Sequence, residues 1–170
     1  MAATDQIKSP GATFENPEEF DRFLTHGGRL IGIDGGTTTL GLALSDVTRT
    51  IATGLETIAR RKFTIDVQRL FELAGTHHVC GFVLGFPRNL DGAEGPRAQA
   101  TRALARNLNK LSALPILLWD ERMTTALAER MLIDADQSRK RRSEIIDKLA
   151  ATLILQSALD RLRQFPAHRA

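Results

Sequence analysis

A single cysteine, Cys80, stands among the 170 residues. No internal disulfide can therefore form, and its place within an apolar run suits a reducing cytoplasm. No apolar run approaches bilayer-spanning length, because small polar or charged residues interrupt each one. The N-terminal Met-Ala-Ala-Thr-Asp-Gln has neither a basic n-region nor an apolar h-region, which argues against secretion. No glycine loop ends in Gly-Lys-Ser/Thr, so there is no P-loop. A Ser-His-Asp signature and a cysteine-nucleophile setting are also missing, and His77-His78 has no companion ligands at a metal-binding spacing. Internal repeats are absent. What is present is balanced: 42% hydrophobic and 25% charged residues describe a globular chain able to bury one core. A net charge of +3 permits a nucleic-acid partner without requiring one.

Residues 1–28 read as an N-terminal extension. Met1 to Thr13 is polar and contains Gly and Pro, which predicts disorder, while Asn16-Pro17-Glu18-Glu19 opens a short helix with an N-cap, a first-position proline and an acidic first turn. Residues 29–165 read as one domain. Leu30 to Asp34, Leu40 to Leu44 and Thr50 to Ile58 are strand-like, and their short links favour antiparallel neighbours. A helix over Phe63 to Ala74, a continuous apolar strand over Val79 to Gly85, a helix from Pro96 and a strand over Pro115 to Trp119 follow. Thr124 or Thr125 can cap a short helix through Leu132. A polar, basic stretch from Asp134 to Arg142 then precedes a long helix from about Ser143 to Arg163. The order predicts an α/β domain: a mixed sheet of three antiparallel strands followed by two parallel strands, with helices on both faces.

Several acids occupy positions that core side chains would be expected to fill. Asp34 shares a strand face with Leu30 and Gly32, where an unpaired carboxylate is costly and calls for donors, a cation or a metal ion. It reads equally well as a turn residue capping its own loop. The Gly35-Gly36-Thr37-Thr38-Thr39 turn that follows offers backbone N–H groups and hydroxyls to a phosphate. Asp120 and Glu121 end the last strand, where ligands of α/β sheets gather, and only one of them can face the side of Trp119. Their alternative is a turn and a helix start. Asp147 begins a stripe of Ala150, Ala151, Ile154 and Ala158, which should pack on the sheet. If these acids converge, their hard oxygens suit Mg2+ or Mn2+, which can activate water and stabilise the leaving oxygen of a phosphodiester. Arg88 and Arg97, in and after the Gly/Pro-rich loop 85–96, could meet phosphate. The run Arg139, Lys140, Arg141 and Arg142 is the other nucleic-acid candidate, against the alternative of a solvated loop.

Four segments in order carry a resemblance. Ile-Gly-Ile-Asp-Gly-Gly-Thr-Thr-Thr-Leu-Gly-Leu-Ala-Leu-Ser-Asp (31–46), Gly-Phe-Pro-Arg-Asn-Leu-Asp-Gly-Ala-Glu-Gly-Pro (85–96), Trp-Asp-Glu-Arg-Met-Thr-Thr-Ala-Leu-Ala-Glu (119–129) and Ile-Asp-Lys-Leu-Ala-Ala-Thr-Leu-Ile-Leu-Gln (146–156) together resemble the YqgF/RuvX family. Each is modest alone; the four in sequence are specific. The resemblance covers about residues 29–160 and implies an RNase H-like fold. It also implies metal-dependent phosphodiester hydrolysis linked to maturation of the 5′ end of pre-16S rRNA, with the ribosomal particle as setting. Asp34, Glu121 and Asp147 match the family's acidic triad, as metal ligands, with Glu121 alternatively the orienter of water. One departure stands out: Thr38 and Thr39 occupy positions where the family usually carries Lys and Arg. Branched DNA is the alternative substrate, and a non-catalytic RNA-binding assembly factor a further reading. Ile-Asp-Gly-Gly-Thr-Thr also resembles the phosphate loop of two-lobed ATPases, but the chain is long enough for one lobe only.

Overall fold

The computed structural model describes residues 11–123 and 139–165. Alternating residues fold into an antiparallel meander of β2 (Arg29–Gly35), β3 (Thr39–Ser45) and β4 (Ala52–Ala59). The apolar run that follows helix α2 (Phe63–Thr76) becomes β5 (Val79–Phe86), buried at every position, as expected of a strand covered on both faces. Helix α3 (Pro96–Leu111) leads to β6 (Ile116–Asp120), a 3-10 turn at Glu121–Met123 follows, and α4 (Arg139–Leu162) closes the fold. β5 runs parallel to β2, and β6 parallel to β5, so the anticipated mixed α/β sheet is present.

The sheet has six strands rather than five. Thr13–Phe14 forms β1, parallel to β6, and the Ile116 amide donates to the Ala12 carbonyl at 2.9 Å. The full order is β1-β6-β5-β2-β3-β4. Two residues are too few to leave a readable alternation, so this strand was invisible to pattern. The following α1 (Pro17–Arg22) starts as its cap predicts, with the Asn16 carboxamide oxygen accepting from the Glu18 amide at 2.9 Å. Phe20 of α1 is fully buried against the core on the α4 side.

Strand alternation sorts the core into two layers. Ile31, Ile33, Leu42, Phe82, Leu84, Ile116 and Leu118 face α2 and α3, while Leu30, Ala43, Val83 and Leu117 face α4. On α4, Ala151, Ile154, Leu155, Ala158, Leu159 and Leu162 are buried in a stripe. Each large apolar side chain there contributes roughly 1.5–3 kcal/mol by leaving water. Small residues bring this helix close. A Cβ on Gly32 would lie 2.7 Å from the Leu155 Cβ, and one on Gly41 would collide with the Asp147 carbonyl oxygen. The helix already includes Arg139 where the described residues resume, so the basic run Arg139–Arg142 lies within it rather than in a preceding stretch. The short helix expected through Leu132 falls outside the described residues. Among the described residues no helix is long and apolar enough to cross a membrane.

Candidate active site

Three acids from distant parts of the chain meet at one end of the sheet. Asp34, near the end of β2, lies opposite Gly41 of β3 and on the α4 side, as its sharing a face with Leu30 and Gly32 predicts. Asp147 sits in α4 directly above Gly41. Its carboxylate accepts a hydrogen bond from the Thr39 hydroxyl, which fixes it against the end of β3. Glu121 follows the last residue of β6 and takes the Trp119 side of the sheet, whereas Asp120 turns to Arg122 at 2.6 Å. Strand β5 separates β6 from β2, so Glu121 must reach across it. Gly85 opens that passage: a Cβ there would stand 2.6 Å from both the Glu121 Oε1 and the Ile154 Cδ1.

The electrostatics follow from this crowding. Burial raises the Asp34 pKa, and the neighbouring Asp147 charge raises it further. The Arg97 charge and a hydrogen bond from Glu121 act in the opposite direction. Burial, then the Asp34 charge, pushes Glu121 up to about 7. Near neutrality Glu121 can thus carry the proton that it donates to Asp34. Among the described residues no three His, Cys, Asp or Glu side chains are gathered closely enough to hold a metal ion as they stand. Asp34 and Glu121 are joined, while Asp147 is engaged by Thr39.

Around the acids, the nominated cations differ in setting. Arg97, exposed at the start of α3, is close enough for its charge to act on both Asp34 and Glu121. Arg88 is paired with Glu15 at 2.9 Å, and its guanidinium lies 5.2 Å from the centre of the Phe86 ring. Thr37 and Thr38 are exposed in the tight turn between β2 and β3, where the Gly36 amide donates to the Thr39 carbonyl at 2.9 Å. The side chains of Arg139, Lys140, Arg141 and Arg142 lie outside the described residues. A cavity of about 330 Å³ is lined by Phe86, Arg88, Trp119, Asp120 and Arg161 but by none of the three acids. It is therefore a neighbour of the acidic site and not the site itself.

Sequence reasoning missed two contributors. Thr39 was read as a turn hydroxyl and a departure from a basic position, yet it holds Asp147. Arg60, just after β4, carried no signal in the sequence. Its Nη1 donates to the Gly36 carbonyl at 2.6 Å and its amide to the Thr38 carbonyl at 2.8 Å. The pairing of Thr39 with Ala59 places it there. No local pattern reports a register of that kind.

Three antiparallel strands followed by two parallel ones, with acids at the ends of β2 and β6 and on the helix across them, define an RNase H-like α/β domain. The family described as "RuvX: Holliday junction resolvase" matches residues 28–161. A protein of Rhodopseudomonas palustris (strain TIE-1), named "Putative pre-16S rRNA nuclease", is 60% identical over 135 residues, covering 79% of this chain and 84% of that protein. One of the same name from Paracoccus denitrificans (strain Pd 1222) is 54% identical over 149 residues, covering 88% and 94%. The chain belongs to the RuvX family. Among solved structures, T. thermophilus RuvC in complex with Holliday junction substrate aligns with a TM-score of 0.49 at 16% identity, over 80% of this chain and 96% of that one. The yeast mitochondrial Holliday junction resolvase Ydc2 aligns at 0.44 and 12% identity, over 91% and 90%.

Proposed function

We propose that the chain is a cytoplasmic nuclease that hydrolyses phosphodiester bonds of RNA and acts in maturing the 5′ end of pre-16S rRNA within the ribosomal particle. The observation that carries this reading is the gathering of Asp34, Glu121 and Asp147 at one end of the sheet, over Gly41 and Gly85. Family membership and the names of the relatives support it and supply the RNA substrate.

The donor set fits Mg2+ or Mn2+: hard carboxylate oxygens, mutually repelling and part-buried, are stabilised by a divalent cation. Asp34, Glu121 and Asp147 would hold it, and when bound it would supply Lewis-acid activation of water and charge stabilisation at the leaving oxygen. The chain's own residues do the rest. Asp34, on a rigid strand, fixes the position of the site. Thr39 orients the Asp147 carboxylate. Glu121, reaching across β5 over Gly85, would hold the ion or orient the attacking water. Thr37, Thr38, Arg88, Arg97 and the Arg139–Arg142 run would contact the phosphates of the strand.

Asp34→Asn should abolish cleavage of a precursor rRNA fragment while RNA binding survives. Undiminished cleavage would remove Asp34 from the mechanism. The family's description as a Holliday junction resolvase favours a second substrate, branched DNA, and the same variant assayed on a four-way junction separates the two. If the native chain binds precursor rRNA but cuts neither substrate, it is a non-catalytic assembly factor.

A further inference from the structure

Beside the acids, on the β4 and α3 side, lies a small concavity of about 60 Å³ lined by Gly35, Gly36, Thr37, Arg60, Arg97 and Thr101. We propose that this concavity is a phosphate subsite, with Arg60 and Arg97 as its cationic walls, taking a backbone phosphate next to the one that is cut. The inference rests on the nuclease reading and specifies where the substrate strand is gripped.

Charge is the first ground. Arg22, Arg69, Arg88, Arg102, Arg122 and Arg163 each face a carboxylate within 4.0 Å. Arg60 and Arg97 form no ion pair with a described residue, as is true of Arg29, Arg49, Arg61 and Arg106, but these two line the same hollow. Two cations at one concavity repel each other, and an anion between them relieves that repulsion. At roughly 10–15 Å³ for one water, the hollow holds a few waters, which is room for the oxygens of one phosphate group.

Position is the second ground. Gly35, which follows Asp34 on β2, lines the hollow together with Arg97, so an anion held there lies close to the acids. Arg60 is anchored at its amide by the Thr38 carbonyl and at its guanidinium by the Gly36 carbonyl. One Nη1 hydrogen bond leaves most of the five guanidinium donors to a ligand, in a fixed fork suited to phosphate. Thr39 is committed to Asp147 and leaves no cation on the turn itself. The cation beside the turn instead comes across from the end of β4.

The plain alternative makes Arg60 a brace for the turn. Salt dependence separates the two, because only a phosphate contact releases counterions. Binding of the full chain to a short single-stranded RNA, and to DNA of the same sequence, would be measured without divalent cations over a range of salt. Arg60→Ala should weaken binding several-fold at low salt and lower the slope of log K against log salt by about 0.7, the value for one contact to a single strand. Arg60→Lys should restore most of the slope. Arg97→Ala, which removes no bond to the turn, should lower the slope similarly and so covers the case in which Arg60→Ala fails to fold. A drop with RNA alone assigns the subsite to RNA, and a drop with both strands assigns it to the shared phosphate backbone. Unchanged slopes in both alanine variants overturn the proposal. Because no cleavage is involved, the slopes stand or fall apart from the nuclease reading, which a separate assay with Mg2+ or Mn2+ decides.

Discussion

At the scale of single residues, the site is an electrostatic conflict held in place by packing. Glu121 has an ordinary value of 4.5 and is pushed to about 7 by burial and by Asp34. Between those values the folded metal-free chain holds a proton that the unfolded chain has released. The stability that this proton confers is present at low pH and is lost as pH rises through about 7. The raised Asp34 pKa acts in the same direction. The melting temperature of the metal-free chain should therefore fall between about pH 5 and pH 8. Glu121→Gln should flatten much of that fall and melt higher at the alkaline end. An equally steep fall in the variant would mean that Glu121 is not the group responsible. Gly85 gives a sharper steric test. Alanine there would push Glu121 and Ile154 aside, so cleavage should drop by about 10²-fold, the usual cost of a misplaced catalytic group. Undiminished kcat/KM in Gly85→Ala would show that Glu121 need not cross β5.

At the scale of elements, α4 serves both packing and chemistry. Its buried stripe covers β2 and β3, and the same helix delivers Asp147 over Gly41. Leu155→Ala should cost about 2–5 kcal/mol in urea unfolding, because it leaves a cavity over Gly32. A loss well under 1 kcal/mol would contradict the close packing of helix on sheet. Thr39→Val removes the hydroxyl from Asp147 while keeping the shape. It should depress cleavage more than stability, which parallel activity and unfolding measurements would check. Equal loss of both would make Thr39 a structural residue only.

Much of this was legible in the sequence, and the exceptions share a cause. Alternation located β3, apolar runs located β2 and β5, and the Asn16 cap and Pro96 located two helix starts. Asp34 stood out because it occupies a core-facing position, and Asp147 because it opens an apolar stripe. The two-residue β1, Arg60 beside the turn, and Gly85 beneath Glu121 depend on which residues face one another across the sheet, and local pattern does not carry that register. The basic run was read as preceding α4, because cations are unfavourable near the positive end of a helix, whereas the described helix already includes Arg139.

At the scale of the whole molecule, a modest net charge of +3 is unevenly placed. Ion pairs absorb many of the arginines, while Arg60 and Arg97 stand unpaired among the described residues beside the acidic site. Under the proposed function, a substrate strand would be drawn in by these cations and cut at the carboxylates, which would hold a divalent ion. The central claim is that Asp34, Glu121 and Asp147 form one metal-dependent catalytic site. The most direct measurement is cleavage of a labelled precursor rRNA fragment by the native chain and by Asp34→Asn, with and without Mg2+ or Mn2+, alongside RNA binding by both proteins. The account predicts cleavage by the native chain only with the divalent ion, none by the variant, and similar binding by both. Cleavage that persists in Asp34→Asn, or that proceeds equally in a chelator, would contradict it.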